Sequence, residues 1–181
     1  MKYLVLLRGI NVGGHNIIKM ADVKSCLDKA GFRNVKTYIQ SGNVILDSPE
    51  KDREKLTSKI EKLLSKEFNY KSKVVLRTHT ELKKIIEEAP KWWDNNPKWR
   101  HYLIFVKEPM TAKQALKEAG EAKVDIEKVQ AGTGVIYLSG LIKALTRTNY
   151  VKLPSKPIYQ HMTIRNYNTT VKLLELMEPN F

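Results

Sequence analysis

Two apolar runs limit this chain most: YLVLL at residues 3–7 and YLIFV at residues 102–106. Each is too short for a buried helix and lacks the alternation of a strand with one wet face. With VIYL at residues 135–138 they read as strands buried on both faces, so whatever sheet holds them must be covered twice. The succession around the first run is regular. Lys2–Leu7 is a strand, and Ala21–Ala30 a helix with Val23, Cys26, Leu27 and Ala30 at helical spacing and Gly31 as its stop. Asn34–Ile39 and Asn43–Asp47 are strands around the turn QSGN. Ser48-Pro-Glu opens a helix that runs to Phe68 on the stripe Leu56, Ile60, Leu63 and Leu64, and Lys73–Arg77 is the next strand. This is the βαββαβ order of a ferredoxin-like unit.

After a helix over Thr80–Glu88 the order begins again. Arg100–Val106 is a strand, Thr111–Ala119 a helix, and Val124–Gln130 with Val135–Leu138 a hairpin around AGTG. A helix is expected beyond Gly140, and a last one from Thr163 or Arg165 to Met177 with Val171, Leu173, Leu174 and Met177 inward. The expected fold class is therefore α+β: two ferredoxin-like halves, the second modified at its end, packed as one compact unit. Residues 1–78 form the first half, 79–99 a helix and Trp-rich connector, and 100–181 the second half with its C-terminal helix. The 42% hydrophobic content is enough for such a core.

Between the first strand and the first helix lies RGINVGGH, Arg8 to His15. Gly9 and Gly14 satisfy GxxxxG, but His15 and Asn16 stand where a nucleotide-binding P-loop needs Lys and Ser/Thr, and GxGxxG is absent. Nucleoside triphosphatase and dinucleotide-dependent chemistry are disfavoured. What remains is either a loop shaped by glycine, or amides gathered into an anion-binding concavity. Topology favours the second, because the end of strand one and the turn between strands two and three share one sheet edge. That edge collects Arg8, Gly9, Asn11, Gly13, Gly14, His15, Gln40, Ser41, Gly42 and Asn43. Near the C-terminus Thr163 is expected to cap the last helix, with Arg165 and Asn166 in its first turn, a second place where amides and dipole favour an anion.

The segments LLRGINVGGHN, TYIQSGNV and TIRNYNTTVKLL are similar to the signature stretches of a bacterial family known as domain of unknown function sixteen-ninety-seven. The likeness runs along essentially the whole chain. It implies a ferredoxin-like duplication, with signature positions at Arg8, Gly9, Asn11, Gly13, Gly14, Ser41, Gly42, Asn43, Thr163, Arg165 and Asn166. Tyr167 stands where a tryptophan is expected. The resemblance brings no catalytic role, and the sequence itself supplies neither a serine-nucleophile motif nor an acid–base pair.

The formal net charge is +13, and from Lys128 to Leu174 there is no acidic residue beside Lys128, Lys143, Arg147, Lys152, Lys156, Arg165 and Lys172. Such uncompensated charge suits a polyanion. His15, His79, His101 and His161 lack metal-ligand spacing, so no metal and no cofactor is expected. Cys26, the single cysteine, sits on an apolar helix face and reads as a small hydrophobe in a reducing compartment. No apolar run approaches the roughly 20 residues that span a bilayer, and MKYLVLLRG is too short for a signal peptide. A cytoplasmic protein without membrane contact is expected. PKWWDNNPKW, residues 90–99, reads as a loop whose tryptophans clamp the halves or form a stacking lip. The leading expectation is a binder of a phosphorylated small molecule at the glycine edge. The alternatives are nonspecific nucleic-acid binding through residues 128–174, and an oligomeric or partner-binding protein with structural glycines.

Overall fold

The computed structural model describes residues 1–11, 14, 16–93 and 96–178. Its strands form two four-stranded antiparallel sheets. In the first, the order is β2-β3-β1-β4, from β1 (Lys2–Leu7), β2 (Arg33–Tyr38), β3 (Asn43–Asp47) and β4 (Val74–Thr78). Helices α1 (Met20–Lys29) and α2 (Arg53–Phe68) are the two crossovers, which gives the ferredoxin-like arrangement. Val23 and Leu27 of α1 and Leu56, Ile60 and Leu64 of α2 pack on Val5, Leu7, Val44, Leu46, Val74 and Leu76. Each such side chain contributes on the order of 1.5–3 kcal/mol on burial. Leu4, Leu6, Ile45 and Val75, on the opposite face, are buried as well, as the unbroken apolar runs require. Helix α2 starts at Arg53 rather than at Ser48, because the Asp52 carboxylate accepts the Lys55 amide and Pro49 precedes it.

The second sheet repeats the order as β6-β7-β5-β8, with β5 (Trp99–Val106), β6 (Glu127–Gly132), β7 (Val135–Leu141) and β8 (Met162–Asn166). Helix α4 (Ala112–Ala119) covers it through Ala112, Ala115 and Ala119, beside Tyr150, Leu153 and Ile158. Where the first sheet has α2, the second has three 3-10 segments: Ile142–Arg147, Tyr150–Ser155 and Pro157–His161. The regular helix expected beyond Gly140 is thus replaced. Pro154 and Pro157 deny it amide donors, and the buried carboxylate of Glu127 takes the amides of Lys123 (2.8 Å), Asn149 (3.1 Å) and Tyr150 (3.3 Å).

The C-terminal reading needs a correction. Thr163 is not a helix cap, and Arg165 and Asn166 are not in a first turn. All three lie in β8, where Thr163 pairs with Phe105 and Arg165 with Leu103. Met162 and Ile164 alternate toward the core beneath α4, the period of a strand. Helix α5 (Tyr167–Met177) follows, and its cap is the side chain of Asn166, which accepts the Asn168 amide at 2.9 Å. The first sheet ends alike: Thr78 runs straight into α3 (His79–Glu87), and Thr78 and Glu81 exchange hydrogen bonds as a capping box. Arg77 pairs with Leu4 as Arg165 pairs with Leu103. Two compact units result, Lys83–Lys172, and Met1–Leu82 joined by Leu173–Phe181.

Candidate functional site

The end of β1 lies between two loops of its own sheet. The Leu7 amide donates to the Gly42 carbonyl (2.8 Å), and the Arg8 amide to the Lys73 carbonyl (2.9 Å). The turn Ile39–Gly42 and the loop before β4 therefore flank the glycine-rich stretch. A bridge closes the edge: Asn11 Nδ2 donates to the carbonyls of Ile18 and Gln40, both at 2.8 Å, while Asn11 Oδ1 accepts the Ile18 amide at 2.8 Å. Asn16 Nδ2 donates to the Gly9 carbonyl (2.8 Å), and the Asn11 amide to the Asn16 carbonyl (3.1 Å). The loop is thereby a closed ring in which Gly9, Asn11, Gly14 and Asn16 all take positive φ. Asparagine tolerates that region and glycine pays nothing there.

These contacts divide the expected site residues. Asn11 has both amide hydrogens and one carbonyl lone pair engaged, so it joins the loop to the turn. Asn43 is fully buried and donates to the Tyr38 carbonyl (3.1 Å) and to Ser41 Oγ (2.9 Å). Gly42 is buried at φ +76°, and a Cβ there would stand 2.9 Å from Leu7 Cβ. These three build the edge rather than line it. Gly9 and Gly14 are exposed, and a Cβ on either would meet nothing within 4 Å. Gln40 is exposed, and Arg8 and Ser41 are half-buried. Gly13 and His15 lie outside the described residues.

Two cations of these segments are not among the expected site residues. Lys19 is exposed at the start of α1, where no side chain caps the helix. Lys71 is exposed in the loop before β4. The ferredoxin order could have pointed to Lys71, since it sets the end of β1 beside the start of β4. Ile39, a β-branched residue, holds φ +49° at the corner of the turn and is 49% exposed. The backbone strain there is held by the tight Tyr38–Asn43 closure that follows.

Thr163, Arg165 and Asn166 belong to the other unit. Arg165 is buried, its guanidinium donating to Thr163 Oγ1 (2.7 Å) and the Ile164 carbonyl (2.8 Å). Burial lowers its pKa to about 10, which leaves it charged at neutral pH. In the same unit Trp93 packs edge-on against Tyr137 (5.3 Å between ring centroids) and Tyr167 (5.0 Å), and lies 5.1 Å from His101. Tyr167 thus has an aromatic role despite replacing the expected tryptophan. Trp99 is not in the connector loop but opens β5, with the Lys128 ammonium 4.8 Å above its ring. Cys26 is buried, and that burial raises its thiol pKa, as suits a packed hydrophobe. Among the described residues no three His, Cys, Asp or Glu side chains gather as metal ligands. No described helix is long and apolar enough to cross a membrane.

The family described as "Protein of unknown function (DUF1697)" matches residues 1–137. The chain belongs to that family. Among solved structures, the conserved bacterial protein SP0830 from Streptococcus pneumoniae is similar at 27% identity over 98% of both chains, with a TM-score of 0.83. No curated protein matches. Family and neighbour agree with the fold and carry no activity across.

Proposed function

We propose that this member of the family binds a small phosphorylated ligand at the glycine edge of its first sheet. One observation carries the reading: the Asn11 carboxamide joins the loop at Ile18 to the turn at Gln40, so that two bends far apart in sequence make one surface. Arg8, Gln40 and Ser41 belong to those two bends, Gln40 exposed and the other two half-buried. Among the described residues, the amides of exposed Gly9 and Gly14 have no protein acceptor. Helix α1 starts immediately after the loop with a lysine at its N-cap, a position where a cation opposes the helix dipole. A bound anion relieves that opposition and takes the amides an uncapped terminus leaves open. Open space at Gly9 and Gly14 lets phosphate oxygens approach the backbone closely.

The test is thermal stabilisation by inorganic phosphate, nucleoside monophosphates and sugar phosphates, on the wild-type protein and the Arg8→Met and Lys19→Met variants. A ligand at 100 times its Kd stabilises by about 2.7 kcal/mol. The shift should shrink in both variants. Equal shifts in all three proteins would refute the site.

A second reading, nucleic-acid backbone contact, draws on the other unit. Lys128, Lys143, Arg147 and Lys152 are exposed within the acid-free stretch. The Lys123 ammonium donates to the Arg147 carbonyl (2.6 Å) and Asn149 Nδ2 to the Glu121 carbonyl (2.6 Å), which fixes the 3-10 segments beside the end of α4. Four phosphate contacts predict a slope of about −3.6 in log K against log salt for duplex DNA. A flat salt response removes this reading and leaves the first intact. Duplication of an ancestral βαββαβ unit is part of the same proposal, supported by the shared strand order and the matched positions of Arg77 and Arg165.

A further inference from the structure

A second hollow, chemically unlike the glycine edge, lies on the face of the first sheet opposite α1 and α2. It measures about 230 Å³ and is lined by Lys2, Asn34, Lys36, Ile45, Asp47 and Leu176. At about 30 Å³ for each water, that is the volume of roughly eight waters, well below what a drug-sized ligand needs. Alternation along the strands explains the lining. Tyr3, Val35, Val44 and Leu46 face the helices, which turns Lys2, Lys36, Ile45 and Asp47 the other way. A register shift between Arg33 and Lys36, with Asn34 at φ +52°, lets Asn34 Nδ2 donate to Asp47 Oδ2 at 2.6 Å. The end of α5 supplies Leu176 as an apolar wall.

The charges in this hollow do not satisfy one another. Lys2 and Asp47 are direct cross-strand partners, a position where opposite charges ordinarily pair. The Lys2 ammonium instead donates to the Met177 carbonyl at 3.0 Å, which leaves it two further hydrogens. Among the described residues, the Lys36 ammonium makes no hydrogen bond or ion pair and Asp47 Oδ1 accepts none. Two ammonium groups and one carboxylate oxygen therefore surround an apolar floor of Ile45 and Leu176. A simple carboxylate would answer the lysines and repel Asp47; a simple amine would do the reverse.

We propose that this hollow binds a small zwitterion with an apolar body, in chemical class an α-amino acid. Its carboxylate meets Lys2 and Lys36, its ammonium meets Asp47 Oδ1, and its side chain covers Ile45 and Leu176. The site shares no residue with the glycine edge, so each stands or falls alone.

The experiment is a two-dimensional NMR titration of the full chain with three probes of nearly one shape: L-leucine, isocaproate without the ammonium, and L-leucinamide without the carboxylate. Leucine should give saturable shifts at the amides of Lys2, Asn34, Lys36 and Asp47. Each analogue should bind about tenfold more weakly, the loss expected for one charge-assisted hydrogen bond. Asp47→Asn should erase the preference for leucine over isocaproate while leaving the amide spectrum elsewhere unchanged. Identical titrations by the three probes, shifts by leucine confined to other amides, or a preference that survives in Asp47→Asn would each overturn the proposal.

Discussion

Replacing Asn11 isolates the contact on which the glycine edge depends. In Asn11→Ala three hydrogen bonds of 2.8 Å disappear, two from Nδ2 and one to Oδ1, and the amide of buried Ile18 loses its acceptor. At about 0.5–1.5 kcal/mol each, the bonds sum to about 1.5–4.5 kcal/mol. Alanine at φ +53° adds about 1 kcal/mol of backbone strain that asparagine largely avoids. Asn11→Gly removes the same bonds without that strain, so the two variants should differ by about 1 kcal/mol. A domain of ordinary stability, about 5–15 kcal/mol, survives either change. Urea denaturation gives the two free energies, and hydrogen exchange at the Ile18 amide reports the loop directly. Both variants should exchange that amide faster and lose stabilisation by phosphate. A cost below about 0.5 kcal/mol, with Ile18 exchange unchanged, would refute the bridge between loop and turn.

Three other perturbations test the frame. Gly42→Ala sets a Cβ 2.9 Å from Leu7 Cβ at φ +76° and should cost about 2–4 kcal/mol by chemical denaturation. Glu127→Ala strands the amides of Lys123, Asn149 and Tyr150 and should cost about 3–5 kcal/mol, with hydrogen exchange rising first at residues 149–150. Burial raises the Glu81 pKa, but the Thr78 amide and the Arg53 guanidinium outweigh it and hold the carboxyl below its ordinary value. A lowered folded-state pKa stabilises above the ordinary value of 4.5 and is lost as pH falls through the folded one, so Glu81→Gln should flatten the acid limb of stability against pH below about pH 4.5.

Most of the frame was legible in the chain because apolar periodicity and turn residues act locally. YLVLL and YLIFV are buried on both faces, and QSGN does close β2 on β3. The failures came where a distant partner decides. MTIRN has too few residues to outweigh the helical pattern after it, and becomes a strand only because β5 offers an unpaired edge. The 3-10 path from Ile142 to His161 depends on Glu127, an acid that from sequence only marked the start of a basic stretch. At the glycine edge the meeting of two bends followed from topology, whereas the division between scaffold (Asn11, Asn43) and exposed groups (Arg8, Gln40) required coordinates. Lys2, Lys36 and Asp47 were invisible as a set, since three strands and a bulge bring them together.

Helix α5 has a consequence for synthesis. Its residues from Leu173 on belong with Met1–Leu82, whereas α3 from Lys83 on belongs with the later residues. The earliest-made sheet thus lacks the Met177 carbonyl that anchors Lys2 until the ribosome has translated nearly everything between. A released chain ending at residue 172 should carry a first unit that proteases attack, and one extended to residue 178 should resist them.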